Sequence, residues 1–97
     1  MSDDVRVVKN DSEQRYEAWV GDERAGFVDV DERDGVTVAL HTETEPHFAG
    51  QGIGTALVGG MLEAVRERGD RIVSHCSFVT AYLERHADEF GDLRADG

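Results

Sequence analysis

The sequence predicts an α+β domain built on a mostly antiparallel, five-stranded mixed sheet with two helices. Three observations carry this. Four stretches in the first half alternate apolar and polar residues with a period of two, as half-buried strands do. A glycine-rich stretch, Phe48-Ala49-Gly50-Gln51-Gly52-Ile53-Gly54-Thr55-Ala56-Leu57, then opens at once into an apolar pattern of helical spacing. One more short strand and one more helical pattern follow it.

In chain order, Val5, Val7 and Lys9 form a first strand that stops at the polar turn Asn10-Asp11-Ser12. Tyr16, Ala18 and Val20 alternate with Glu17 and Trp19, and Gly21-Asp22 turns the chain. Gly26, Val28 and Val30 alternate with Phe27, Asp29 and Asp31, before the strong hairpin signal Asp34-Gly35. Val36, Val38 and Leu40 alternate with Thr37, Ala39 and His41 in a fourth strand, which runs into Thr42-Glu43-Thr44-Glu45 and stops at Pro46. The simplest arrangement is an antiparallel meander.

The helix after the glycine loop carries Ile53, Leu57, Val58, Met61, Leu62 and Val65 on one face and ends at Gly69. Gly59 and Gly60 inside it cost about 1 kcal/mol each relative to alanine, so something packs closely there, either the sheet or a ligand. Arg71 to His75 reads as a fifth strand, parallel to the fourth across the helical crossover. Ser77 caps a second helix, whose buried stripe is Phe78, Val79, Tyr82, Leu83 and His86. The tail from Asp88 is polar except for Phe90 and Leu93, which are placed to dock back.

The loop has its own chemistry. Glycines let backbone N–H groups face a ligand, and a helix starting there adds unpaired amides and a positive dipole end. Together these make a cradle for a phosphate or pyrophosphate; the plainer alternative is a loop entering a surface helix. A Walker loop is excluded because no Gly-Lys-Ser/Thr ends the stretch. The dinucleotide fingerprint is excluded because Thr55 stands at the sixth place from Gly50 and the loop lies mid-chain.

The chain of 97 residues suits one domain, 1–97, with 39% hydrophobic residues for a single modest core. Its N-terminus, Met1-Ser2-Asp3-Asp4, lacks the basic and apolar regions of a signal peptide, and no run is long enough to span a membrane. One cysteine, Cys76, forms no internal disulfide. A soluble cytoplasmic protein is expected. There are 21 acidic residues against 10 basic ones, a net charge of −11, and Lys9 is the only lysine. This balance argues against nucleic acid as a partner. It also opposes an anionic cofactor at low salt, and points to a salt-adapted (halophilic) cytoplasm, where molar salt shortens the Debye length to about 3 Å.

The order of meander, glycine loop, helix, strand and helix resembles the core of the GNAT superfamily of acetyl-CoA-dependent N-acetyltransferases. Against its loop pattern [Q/R]-x-x-G-x-[G/A], Ala49 holds the first place, Gly52 the fourth and Gly54 the sixth. A branch of very small GNAT-like proteins is closer. His41-Thr42, Gly50-Gln51-Gly52-Ile53-Gly54 and Cys76-Ser77-Phe78 match its motifs in order and spacing, over a core of about residues 7–93. The resemblance implies that strands four and five splay apart around coenzyme A. It places the pyrophosphate on Gly50, Gln51, Gly52, Ile53, Gly54 and Thr55, and the pantetheine arm along the backbone from Thr42 and Glu43 to Glu45.

Amide formation needs a neutral amine, a carbonyl held beside it and a route for its proton. Cys76 falls where the fifth strand ends and the second helix begins, so the dipole favours its thiolate. It can relay an acetyl group, or be an inert buried cysteine. His41 shares strand parity with Glu43 and Glu45 until a bulge intervenes, and one of them can take the amine's proton; the alternatives are a structural histidine and a solvated acidic face. The general-acid tyrosine of many GNATs falls here on Leu83, with Tyr82 turned away by about 100°. His75 and Cys76 point to opposite faces, while His47 and His86 lack ligand spacing, so no metal site is expected. The expected function is therefore acetyl-CoA-dependent N-acetylation of an amine. The alternatives are a non-catalytic acyl-CoA-binding module working with a partner protein, and an interaction domain that has lost the ligand. The chain is too short for paired helices walling an acceptor site. An open acceptor side suits a polypeptide amine, or completion by a partner subunit such as a homodimer.

Overall fold

The computed structural model describes residues 5–95; Met1 to Asp4, read above as carrying no signal peptide, lie outside them. Strands β1 (Val5–Asn10), β2 (Arg15–Val20), β3 (Glu23–Arg33) and β4 (Val36–Thr44) form the antiparallel meander, and β5 (Arg71–Ser74) joins β4 in parallel. The turns follow from local chemistry. Asp34 and Gly35 have φ of 53° and 79°, both positive, as the two-residue turn matched to strand twist requires. This holds Arg33 opposite Val36.

Helix α1 (Ile53–Glu67) crosses one face of the sheet. Its buried stripe of Ile53, Leu57, Val58, Met61, Leu62 and Val65 meets Tyr16, Ala18, Val28, Val30 and Ala39 from the strands. The helix ends in two reversed hydrogen bonds, Gly69 N–H to Arg66 O (3.0 Å) and Asp70 N–H to Val65 O (3.0 Å), with Gly69 at φ 75°. The internal glycines have different neighbours. A Cβ on Gly60 would lie 2.7 Å from the Cβ of Val7 on β1, and one on Gly59 would lie 2.9 Å from the Tyr82 hydroxyl. Sheet and second helix, rather than a ligand, explain them.

Helix α2 (Ser77–Arg85) packs beside α1, and among the described residues no helix covers the other face of the sheet. Two expectations about its stripe need correcting. Val79, Tyr82 and Leu83 are buried, but Phe78 is 39% exposed, because its ring is directed at Gly54 rather than at the core. His86 is half-buried and stacks on Tyr82, with ring centroids 4.2 Å apart. A one-turn helix, α3 (Ala87–Phe90), is additional to the two predicted. Phe90 and Leu93 do dock into the core, and the tail continues along the free edge of β5, with Ala95 N–H donating to Ile72 O (2.9 Å). Among the described residues no helix is long and apolar enough to cross a membrane.

A cavity of about 550 Å³ lies between β1 and the C-terminal half of α1. A network ties its walls together: Glu32 takes Lys9 Nζ at 2.9 Å and Arg68 Nη2 at 2.8 Å, while Arg68 Nη1 donates to the Tyr16 hydroxyl at 2.8 Å. That network clamps the end of α1 to the sheet. The candidate site is at the helix's other end.

Candidate functional site

Between β4 and α1 the chain is tied down at two points. Glu45 N–H donates to Ala25 O (2.8 Å), and buried Phe48 anchors a single 3-10 turn, Pro46–Phe48. Gly50 and Gly52 then take φ of 82° and 76°, the left-handed region that glycine enters freely. Gly52 caps α1, and its carbonyl accepts Ala56 N–H at 3.0 Å. A serine or aspartate cap would turn its side chain onto the first amides, but glycine has none. Among the described residues the N–H groups of Ile53, Gly54 and Thr55 have no acceptor.

Those amides face a cleft of about 310 Å³ lined by Thr44, Phe48 and Ala49, the glycine loop, and Phe78 from the first turn of α2. None of the described residues lining it is charged. In a chain of net charge −11 this matters, because the acids lie elsewhere and the positive end of the α1 dipole is unopposed. Uncharged and bordered by free amides, the cleft has the chemistry of an anion cradle.

Beyond the cleft the sheet opens. β5 pairs with β4 only from Val36 to Ala39, and His75 N–H to Ala39 O (2.8 Å) is the final rung. At that level Leu40 is an extra residue: Val30 stands opposite Ala39, but Asp29 stands opposite His41. Such a bulge bends its strand. From Leu40 to Thr44, β4 keeps β3 on one side and has no strand on the other among the described residues.

Across this gap Cys76 Sγ and Thr42 Oγ1 are 3.3 Å apart. Cys76 occupies the cap position of α2, at the strand–helix junction. Ser74 steadies it, donating its hydroxyl to Cys76 O (2.9 Å), accepting Cys76 N–H (3.3 Å) and accepting the Thr80 hydroxyl (2.8 Å). Burial pushes the thiol up, but the Thr42 hydroxyl and the backbone amides of Val79, Phe78 and Thr42 outweigh it. The group titrates below its usual range. Alkylation of Cys76 by iodoacetamide, followed against pH, should therefore have its midpoint below that of a free cysteine peptide. Thr42→Val should move the midpoint up, since it removes a donor to the thiolate; an unmoved midpoint would deny Thr42 that role.

The other sequence candidates lie apart. The bulge puts Thr42 and Thr44 in the positions opposite Val28 and Gly26, on the helix-covered face, and leaves His41 and Glu43 on the bare one. There His41 Nε2 meets Glu43 Oε2 at 3.0 Å, with both side chains more than half exposed. Gln51 turns away from the cleft to donate to His47 O (3.3 Å). Tyr82 is 7% exposed and stacked on His86, with its hydroxyl beside Gly59, outside the cleft. Ser74 and Thr80 had no signal in the sequence beyond their spacing around Cys76, and the His41-Thr42 motif marked Thr42 without showing that its side chain meets the thiol.

The family model described as GCN5-related N-acetyl-transferase matches residues 15–93. The solution NMR structure of a GCN5-like protein from Staphylococcus aureus is similar in fold, with a TM-score of 0.68 at 22% identity. The likeness covers 92% of this chain and 86% of that one. No curated protein matches the chain.

Proposed function

Because the chain belongs to the GCN5-related N-acetyltransferase family, we propose that it takes an acetyl group from acetyl-CoA and passes it through Cys76 to an amine. One observation carries this reading: amides with no acceptor among the described residues border an uncharged cleft, and Cys76, its pKa lowered, stands against Thr42 where β4 has lost β5. Acetyl-CoA supplies the acetyl group as a thioester, already activated towards a nucleophile.

In this reading the amides of Ile53, Gly54 and Thr55 hold the diphosphate, with the Gly50–Gly52 turn shaping the approach. The unpaired edge of β4 from Thr42 to Glu45 offers its backbone to the amides of the arm, as a sheet edge accepts an added strand. Cys76 Sγ, as thiolate, forms a bond to the acyl carbon while the bond to the coenzyme's sulfur breaks. That sulfur leaves as a thiolate and takes a proton from water. A neutral amine then attacks the acetylated Cys76, the amide bond forms, and the cysteine thiolate is released. The acceptor side in this reading is the face that carries no helix among the described residues. An amine entering from there through the β4–β5 gap passes its proton through water to His41, which Glu43 holds on that face, opposite Thr42. With Tyr82 packed against α1 and His86, no tyrosine from α2 serves the leaving group.

Intact-mass measurement after mixing with acetyl-CoA should show one acetyl group on Cys76, discharged by adding an amine. Calorimetric binding of coenzyme A with no such adduct and no transfer would make the protein a binding module instead. The salt dependence has a definite sign. Repulsion between a polyanionic ligand and the −11 surface is long-ranged, and molar KCl reduces its reach to about 3 Å. Affinity for coenzyme A should rise from low salt to molar KCl, as suits a salt-adapted protein; a steep fall would show that local attraction dominates.

A further inference from the structure

We propose that Phe78 is a positioning residue for the thioester-bearing arm of the coenzyme, forming the apolar wall between the diphosphate cradle and Cys76. The proposal rests on the coenzyme reading above. Three large apolar side chains are exposed among the described residues: Val8, Leu40 and Phe78. Of these, Phe78 alone lines the cleft.

Core packing does not account for it. The buried stripe of α2 is Val79, Tyr82 and Leu83, while the Phe78 ring reaches over to the first turn of α1. A Cβ on residue 54 would stand 2.8 Å from the ring's Cζ and 3.1 Å from Cε2. Gly50 and Gly52 are glycines because of a positive φ; Gly54 has an ordinary φ and is kept small by this ring. The chain accepts a weak helix former at Gly54 and an exposed aromatic at Phe78, and both choices put a ring beside the free amides.

The ring's place along the cleft identifies the ligand segment. Gly54 contributes one of the vacant amides, and Cys76 precedes Phe78 by two residues. A ligand that reaches from those amides to that thiol must pass the ring. In coenzyme A the intervening segment is an arm with a branched, apolar carbon next to the diphosphate. Packing this carbon on the ring face fixes the arm and keeps water from the thioester beside Cys76.

The test compares coenzyme A with adenosine 3′-phosphate 5′-diphosphate, which has the diphosphate but no arm, by calorimetry. Phe78→Ala should weaken coenzyme A by about tenfold and leave the nucleotide unchanged within about twofold. Phe78→Leu should restore most of the loss. The exposed ring supports no core, so all variants should keep the parent melting temperature. An unchanged affinity for coenzyme A in Phe78→Ala, or an equal loss for both ligands, would overturn the proposal. A parent protein that binds neither ligand would remove the coenzyme reading itself, and this proposal with it.

Discussion

Cys76→Ala should lower acetyl transfer by at least about a hundredfold, the scale on which losing an activated nucleophile is felt. Coenzyme A affinity should stay within about threefold, since on the proposed reading the diphosphate rests on backbone amides of the glycine loop rather than on the thiol. The combination is diagnostic. Cys76→Ser keeps a hydroxyl near Thr42 Oγ1, where Sγ now sits at 3.3 Å, and keeps the junction held by Ser74 and Thr80. It should be as folded as the parent and nearly as inactive as the alanine variant, because a serine hydroxyl has no comparable anion at neutral pH. The parent rate should climb with pH through a midpoint below the usual thiol range, following the thiolate. If both variants keep most of their activity, the amine attacks the thioester directly, and Cys76 is a wall of the site rather than a carrier.

The second large effect concerns the fold. Gly60→Val should destabilise the protein by about 3 kcal/mol, because it forces branched carbon into a position where even a Cβ meets the Val7 Cβ at 2.7 Å. For a chain of this size that lowers the melting temperature by about 12–24 °C. Alanine is the less informative choice, since its gain in helix propensity of about 1 kcal/mol offsets part of the clash. Val7→Ala in the same chain should recover part of the loss, with a coupling of about 0.5–3 kcal/mol between the two sites. Unfolding by heat or denaturant measures all three. Additive losses would mean that α1 and β1 move apart freely instead of meeting at this point.

The periods of the chain explain which parts of this structure were legible beforehand. Alternation gave the strand order because each strand has one buried face, and the Asp34-Gly35 turn and Gly69 cap require glycine for local backbone reasons. The glycine turn and the free amides at the start of α1 were visible because they lie in consecutive backbone groups from Gly50 to Thr55. Contacts between distant segments left weaker traces. Gly59 and Gly60 announced a close approach, but not that Val7 and Tyr82 make it. Phe78 has the spacing of a core residue and is kept out of the core by a glycine 24 positions earlier in the sequence. Strand parity placed His41 with Glu43, but no residue type marks Leu40 as the extra one. The face that Thr42 shows to Cys76 was therefore hidden.

That extra residue lets architecture and activity be separated by a single codon. Excising Leu40 would leave Ala39 facing Val30 and His41 facing Asp29, so every side chain would keep its side of the ladder. The shortened strand would run straight, and β5 could zip onto it past its present last rung. Such a protein should melt no lower than its parent and yet have nowhere to seat a thioester.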